Sequence, residues 1–187
     1  MNFEEICRER FSVRSFSDRK VGRETVGEIL ALVRQAPTAL NQQPYRVLVA
    51  DGDEALQKLQ SAKPTLYGAG TVLILCSDRS RAWANRYSGE TDVLIDMGIL
   101  TATALYAATE YGVDSCCVCN FDPDAVKQAF DMPDHLVPDA LILLGYRTAD
   151  ARPSERHTMR RPVGEFTDWL SADGCGHAAS CPNSGRQ

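Results

Sequence analysis

No P-loop of the form G-x-x-x-x-G-K-[ST] occurs in the 187 residues, and no G-x-G-x-x-G run follows a strand-like segment. Gly68-Ala69-Gly70 comes nearest, but it lacks a third glycine and precedes a strand-like run instead of a helix. A cradled nucleoside triphosphate and a Rossmann dinucleotide site are both disfavoured. Histidine is scarce, three in all, and none of His135, His157 and His177 follows the G-x-S-x-G elbow of a serine hydrolase. Basic residues do not predominate either. Lys plus Arg number 20 against 25 Asp plus Glu, a net charge of −5, which removes a global pull toward nucleic acid or anionic lipid. No helix–turn–helix or aromatic RNA-binding motif is present. The opening Met1-Asn2-Phe3-Glu4-Glu5 has neither the basic region nor the apolar run of a secretory signal. With an odd number of cysteines, seven, a disulfide framework is not expected and a reducing cytoplasm is the default compartment.

What is present is a globular composition, 44% hydrophobic and 24% charged, which argues against intrinsic disorder. A chain of this length hides roughly 70% of its unfolded surface, enough for one sizeable core without staples. Phe3, Ile6 and Cys7 fall at helical spacing over residues 1–10. From Arg8 onward the period changes to two, so that Arg10, Ser12 and Arg14 share one face of an extended segment, with Phe11 and Val13 on the other. Val26, Ile29, Leu30 and Val33 mark a helix over 23–35, halted by Pro37. A polar loop, Pro37 to Pro44, leads to a strand over 46–50, an amphipathic helix over 53–62 and an apolar strand over 71–76. Residues 92–111 are apolar on nearly all sides. That pattern predicts the central pillar of a core, about 30 Å long, ended by Gly112 at positive φ. A strand over 115–118 follows, then Asp122-Pro123 as cap and first position of a helix. An apolar strand over 140–144 and a last helix over 162–170 complete the pattern. One domain, 1–171, is expected, with 172–187 as a loose tail. Helices and strands mix without strict alternation, which favours an α+β layered fold.

Three local constellations bear on chemistry. Two guanidinium forks and a hydroxyl on one strand face (Arg10, Ser12, Arg14) match a phosphate monoester; the competing explanation is a sheet edge protected by charge. Asn41, Gln42 and Gln43 can donate and accept hydrogen bonds, as the edge of a pyrimidine-like heterocycle requires; the competing explanation is a polar turn. Arg160-Arg161-Pro162 could be a second phosphate clamp or only basic residues before a proline. No protein nucleophile stands out.

Taken in order, Arg10-x-Ser12-x-Arg14-x-Phe16, Ala36-Pro37-x-x-x-Asn41-x-Gln43-Pro44-Tyr45, Asp96, Gly112-Val113-Asp114-Ser115-Cys116, Gly145-Tyr146 and Arg160-Arg161-Pro162 form a set that resembles the FMN-dependent nitroreductase family, from about residue 5 to 170. The resemblance implies a central, mostly antiparallel sheet flanked by helices, in an intertwined homodimer with FMN at the subunit interface. It implies that Arg10, Phe11, Ser12 and Arg14 line the phosphate and ribityl chain, with Arg160 or Arg161 completing the phosphate site. Pro37, Thr38, Ala39 and Asn41 would come from the partner subunit, with Asn41 or Gln43 on the flavin ring. Cys119 and Asn120 fall where the family places backbone amides near flavin N5. Phe11 stands where the family often has His or Arg, and Tyr45 replaces a Trp. The implied function is an NAD(P)H-dependent FMN oxidoreductase working by ping-pong hydride transfer to a nitroaromatic, quinone or similar small acceptor. The alternative is a flavin-binding protein with a specialised role: dehalogenase-like, ene-reductase-like or a redox sensor. Between Cys76 and Asp92, Trp83, Arg86 and Tyr87 are candidates for a small lid.

The remaining cysteines could suggest metal. Cys117 and Cys119 share a strand face, Cys116 points away, and a second ligand pair is missing, so packing as small apolar groups is the expectation. Cys175-Gly176-His177 with Cys181 has better spacing but lies in the tail. No metal site is expected.

Overall fold

The computed structural model describes residues 1–171 and 174–176; the expected tail otherwise lies outside the described residues. Two compact units emerge, Met1–Pro153 and the segment from Ser154 onward. In the first, helix α1 (Phe3–Glu9) opens with a reciprocal cap: the Asn2 side chain accepts from the Glu5 N–H at 3.0 Å, and the Glu5 carboxylate accepts from the Asn2 N–H at 2.9 Å. Helix α2 (Arg23–Val33), strand β1 (Tyr45–Ala50), helix α3 (Asp53–Leu59) and strand β2 (Thr71–Asp78) follow. Then come helix α4 (Val93–Glu110), strand β3 (Asp114–Val118), helix α5 (Pro123–Ala129) and strand β4 (Leu136–Gly145).

The strands form one sheet in the order β1-β2-β4-β3, every neighbouring pair antiparallel. Successive side chains leave opposite faces, so the sheet feeds two cores. Leu73, Leu75, Ile142 and Leu144 pack with Ile29 and Val33 of α2 and Met97, Leu100 and Ala104 of α4. Val72, Ile74, Leu141 and Leu143 pack with Leu59 of α3, Val126 of α5 and the N-terminal Phe11, Val13 and Phe16. Each such Leu or Ile contributes about 1.5–3 kcal/mol by leaving water. Two strands apolar on both faces sit in the middle, and helices cover both sides.

Strand β4 begins earlier than the apolar run predicts, because Pro138 masks it. Proline is tolerated inside a sheet at a bulge, and a bulge is what forms: Leu75 faces Ala140 but Cys76 faces Pro138, leaving Asp139 as the extra residue. The Asp139 carboxylate accepts the Ser77 N–H at 2.7 Å.

Helix α5 starts as its sequence predicts, with Asp122 Oδ1 accepting from the Asp124 and Ala125 N–H groups. Helix α4 ends at Gly112, φ +65°, where the Val113 N–H donates to the Ala108 carbonyl and the Gly112 N–H to the Thr109 carbonyl. That pair of bonds is a Schellman cap. The expectation of a fully covered pillar does not hold. Leu94 and Ile95 are each 63% exposed, because α1, α2 and the sheet leave that face of α4 uncovered.

In the second unit the helix expected over 162–170 is absent. A single 3-10 turn, Val163–Glu165, gives way to a hairpin of β5 (Trp169–Ser171) and β6 (Gly174–Gly176). Gly164 disfavours helix propagation, whereas Phe166, Thr167 and Trp169 favour extended backbone.

Candidate functional site

The segment after α1 is extended and lies along the free edge of β3. Ser12 bridges Ser115 in parallel, and the Val13 N–H donates to the Ser115 carbonyl at 3.0 Å. This docking fixes which way the side chains point. Phe11 and Val13 are buried in the core, whereas Arg14 is exposed and Arg10 and Ser12 half-buried. Phe11 lies under the Arg147 guanidinium, 4.9 Å from its ring centroid, and Arg147 is held by Asp114 at 3.0 Å. The Phe11 side chain therefore faces inward, and only its backbone is on the Arg10 side.

Phe16 anchors the far end of the segment. Its N–H donates to the Tyr67 carbonyl at 3.0 Å, and two glycines make room for it. A Cβ on Gly145 would stand 2.7 Å from Phe16 Cδ1, and Gly68, at φ +82°, would bring one to 3.0 Å from the Phe16 carbonyl oxygen.

Under the segment lies Cys116. Burial pushes its thiol pKa up, while Arg14, the Ser12 side chain, Arg10 and Lys63 pull it down. All four groups act on the same thiol, Cys116. Lys63 had no signal in the sequence: it follows α3 and acts on Cys116 only through packing of the α3 layer. Arg10, Arg14 and Lys63 have no carboxylate within ion-pair distance among the described residues. Three unmatched cations and a hydroxyl suit the oxygens of a phosphate monoester.

The second constellation is the loop from Pro37. Its backbone is unusual: Leu40, Asn41 and Gln43 all have positive φ (49°, 55° and 49°), a region that costs a side-chain-bearing residue roughly 1–2 kcal/mol. Strain of this kind persists where surrounding bonds over-determine the conformation. Here the Gln43 N–H donates to Thr38 Oγ1 at 3.0 Å, Gln43 Nε2 donates to the Asn41 carbonyl at 3.1 Å, and the Ala39 N–H donates to Asp96 Oδ1 at 3.0 Å. Asp96 is only 6% exposed, so the first turn of α4 carries a buried carboxylate aimed at this loop. Pro37, Thr38, Ala39 and Asp96 line a cleft of about 280 Å³ with Trp83, Asp92, Ile95 and Ile99. Of the lid candidates, Trp83 is half-buried in this cleft, whereas Arg86 and Tyr87 are exposed and bonded to one another.

These two constellations do not meet within one chain. The loop is tied to the first turn of α4, and the Arg10–Arg14 segment pairs with β3 just past its last turn. From Asp96 to the end of α4 at Glu110 the helix rises through fourteen residues, about 21 Å at 1.5 Å per residue. Cys119 and Asn120 are exposed beyond the end of β3. Arg160 and Arg161 belong to the second unit, where Arg160 Nη1 donates to the Met159 carbonyl at 2.8 Å and the Arg161 guanidinium lies 5.9 Å from the Phe166 ring. Among the described residues no cluster of His, Cys, Asp and Glu is arranged to hold a metal ion. His177 and Cys181 lie outside the described residues.

A two-core α+β unit of this topology, with a cationic segment on one sheet edge, defines a class. The nitroreductase family model matches residues 7–64 and 57–146, and the chain belongs to that family. A nitroreductase family protein of Clostridium difficile 630 is similar at 35% identity and a TM-score of 0.85, over 91% of this chain and 99% of that one. The FMN reductase [NAD(P)H] of Bacillus subtilis is 24% identical over 87% of this chain and 72% of its own length. A protein of Exiguobacterium sibiricum 255-15, crystallised in complex with FMN, shares the fold at a TM-score of 0.80 and 22% identity, over 90% of this chain and 97% of that one.

Proposed function

We propose that the protein is an FMN-dependent NAD(P)H oxidoreductase. The observation that carries the reading is the convergence of Arg10, Arg14, Lys63 and Ser12 with no acidic partner, joined to membership of a family with an FMN reductase and an FMN-bound structure among its members. When bound, FMN supplies hydride acceptance at N5 from NAD(P)H and delivery to a nitroaromatic, quinone or similar small acceptor in ping-pong order.

The chain's own residues have narrower tasks. Arg10, Arg14 and Lys63 neutralise the phosphate, and Ser12 donates to one of its oxygens. Asn41 and Gln43 offer amides to the ring edge, while Pro37, Thr38 and Ala39 give that loop its shape. The backbone amides of Cys119 and Asn120 would lie near flavin N5.

Because the loop and the cationic segment sit at opposite ends of α4, one FMN draws on two copies of the chain. The uncovered face of α4, with Leu94 and Ile95, and the 78% exposed Leu40 give a partner subunit apolar surface to cover. Five described cysteines are free thiols, in keeping with a cytoplasmic homodimer.

The purified chain should be yellow and dimeric, and anaerobic NADH or NADPH should bleach it. A colourless chain that ignores added FMN, or a bound flavin bleached by neither donor, overturns the reading. Product analysis across nitro, quinone and halogenated acceptors then separates a general reductase from a dehalogenase-like, ene-reductase-like or sensor role.

A further inference from the structure

Strand β3 ends in Cys116-Cys117-Val118, and Cys119 follows directly; the three thiols point two ways. Cys116 and Val118 enter the core on the α3–α5 side. Cys117 turns to the α2–α4 side, where it is half-buried. Cys119, exposed, follows it on that face. The Cys117 and Cys119 sulfurs lie 3.7 Å apart. We propose that Cys117 and Cys119, brought together on one face at the end of β3, form a reversible dithiol–disulfide site that exchanges electrons with small disulfides.

The geometry favours closure. Two residues of extended chain span roughly 6.6–7.2 Å between Cα atoms, at the upper edge of the separation a disulfide bridges, so a slight pucker suffices. The backbone is free to supply it. Val118, opposite Leu141, is the last residue of β3 held in the ladder, and Cys119 lies just beyond. By contrast Cys76 is fully buried in the middle of β2, opposite Pro138, and has only the core around it.

The two thiols are also unequal, as an ordered exchange requires. Burial first, and Cys119 second, push the Cys117 pKa up to about 12. The exposed Cys119 is therefore the entry point. Its thiolate attacks one sulfur of a small disulfide RSSR, forming a Cys119–S–S–R bond and expelling RS⁻. Cys117 then attacks the Cys119 sulfur, closing the Cys117–Cys119 bond and expelling the second RS⁻. The net change is two thiols plus RSSR giving one intramolecular disulfide plus two RSH, with two electrons passed to the small disulfide. The reverse sequence, with excess RSH, restores the dithiol.

The test is redox titration of the full chain with reduced and oxidised glutathione, followed by alkylation and peptide mapping. Cys117 and Cys119 should lose alkylation together, with a peptide about 2 Da lighter than the dithiol and no lasting glutathione adduct. Cys117→Ser should trap glutathione on Cys119, Cys119→Ser should abolish closure, and Cys116→Ala should retain it. Alkylation of the two sites that changes independently, or a stable wild-type adduct on Cys119, overturns the proposal. A second measurement needs no variant to fold. Phenylarsine oxide should bridge the wild-type pair with loss of water, mapped to this peptide, and be released by a dithiol but not by a monothiol. Release by a monothiol overturns the proposal too.

Discussion

The segment from Arg10 to Phe16 and the loop from Pro37 to Gln43 are both short, polar at their surface and proposed to serve the same cofactor, yet they are built by opposite means. The segment has ordinary extended backbone, held by Ser115 on one side and Phe16 at its end, and its side chains offer the chemistry. The loop has three side-chain-bearing residues at positive φ, held by Thr38 and by Asp96 beneath it. In the first the backbone is a ruler and charge is the product. In the second much of the work goes into holding an unfavourable shape. Function that rests on side-chain periodicity should fail by loss of charge, and function that rests on strain should fail by loss of its restraints.

The largest effect should come from the segment. Arg10→Ala with Arg14→Ala removes two charge-assisted donors, each worth about 1.5–3 kcal/mol. FMN affinity, read by fluorescence titration, should fall by roughly 10²-fold or more, with little change in the denaturation midpoint. Next, Gly145→Ala drives a Cβ against the buried Phe16 ring, and overpacking costs typically 1–3 kcal/mol. Urea unfolding should show that loss, together with weaker FMN binding as the segment is displaced. Asp96→Ala is the matching blow to the loop. It orphans the Ala39 N–H, at about 1–3 kcal/mol, and amide exchange at Ala39 should accelerate while Asp96→Asn, which keeps an acceptor, stays near wild type. The smallest effect should be favourable. Leu40→Gly releases a strained, exposed residue and should raise unfolding stability by up to about 1 kcal/mol. If Leu40→Gly destabilises instead, the strain reading of the loop is wrong.

The contrast also explains what could be read in advance. Arg10, Ser12 and Arg14 were legible because period two is a property of any extended chain, and the edge of β3 enforces it. The caps at Asp122-Pro123 and Gly112 were legible because they are local chemistry. Lys63 was not, since nothing in its neighbourhood marks it and only tertiary packing brings it within electrostatic reach of Cys116. The half-covered state of α4 was hidden for a related reason: apolarity all round tells that a face will be covered, not which chain covers it. Residues 162–170 misled because Pro162 imitates a helix start, while the aromatic residues that follow favour the hairpin that forms. Pro138 misled in the opposite sense by hiding the first part of β4.

That same proline has a further consequence. The central strands β2 and β4 are apolar on both faces, so sliding one past the other by a single position would exchange Leu for Ile or Val at little cost in buried hydrocarbon. Ordinary amphipathic strands resist such slippage because it would turn their greasy side outward; these two have no such guard. The extra residue at Asp139, with its carboxylate tied to the Ser77 amide, acts as a key cut for one lock position. A shifted alignment would break the Asp139–Ser77 bond and misplace the extra residue, so the notch helps to fix the β2–β4 register.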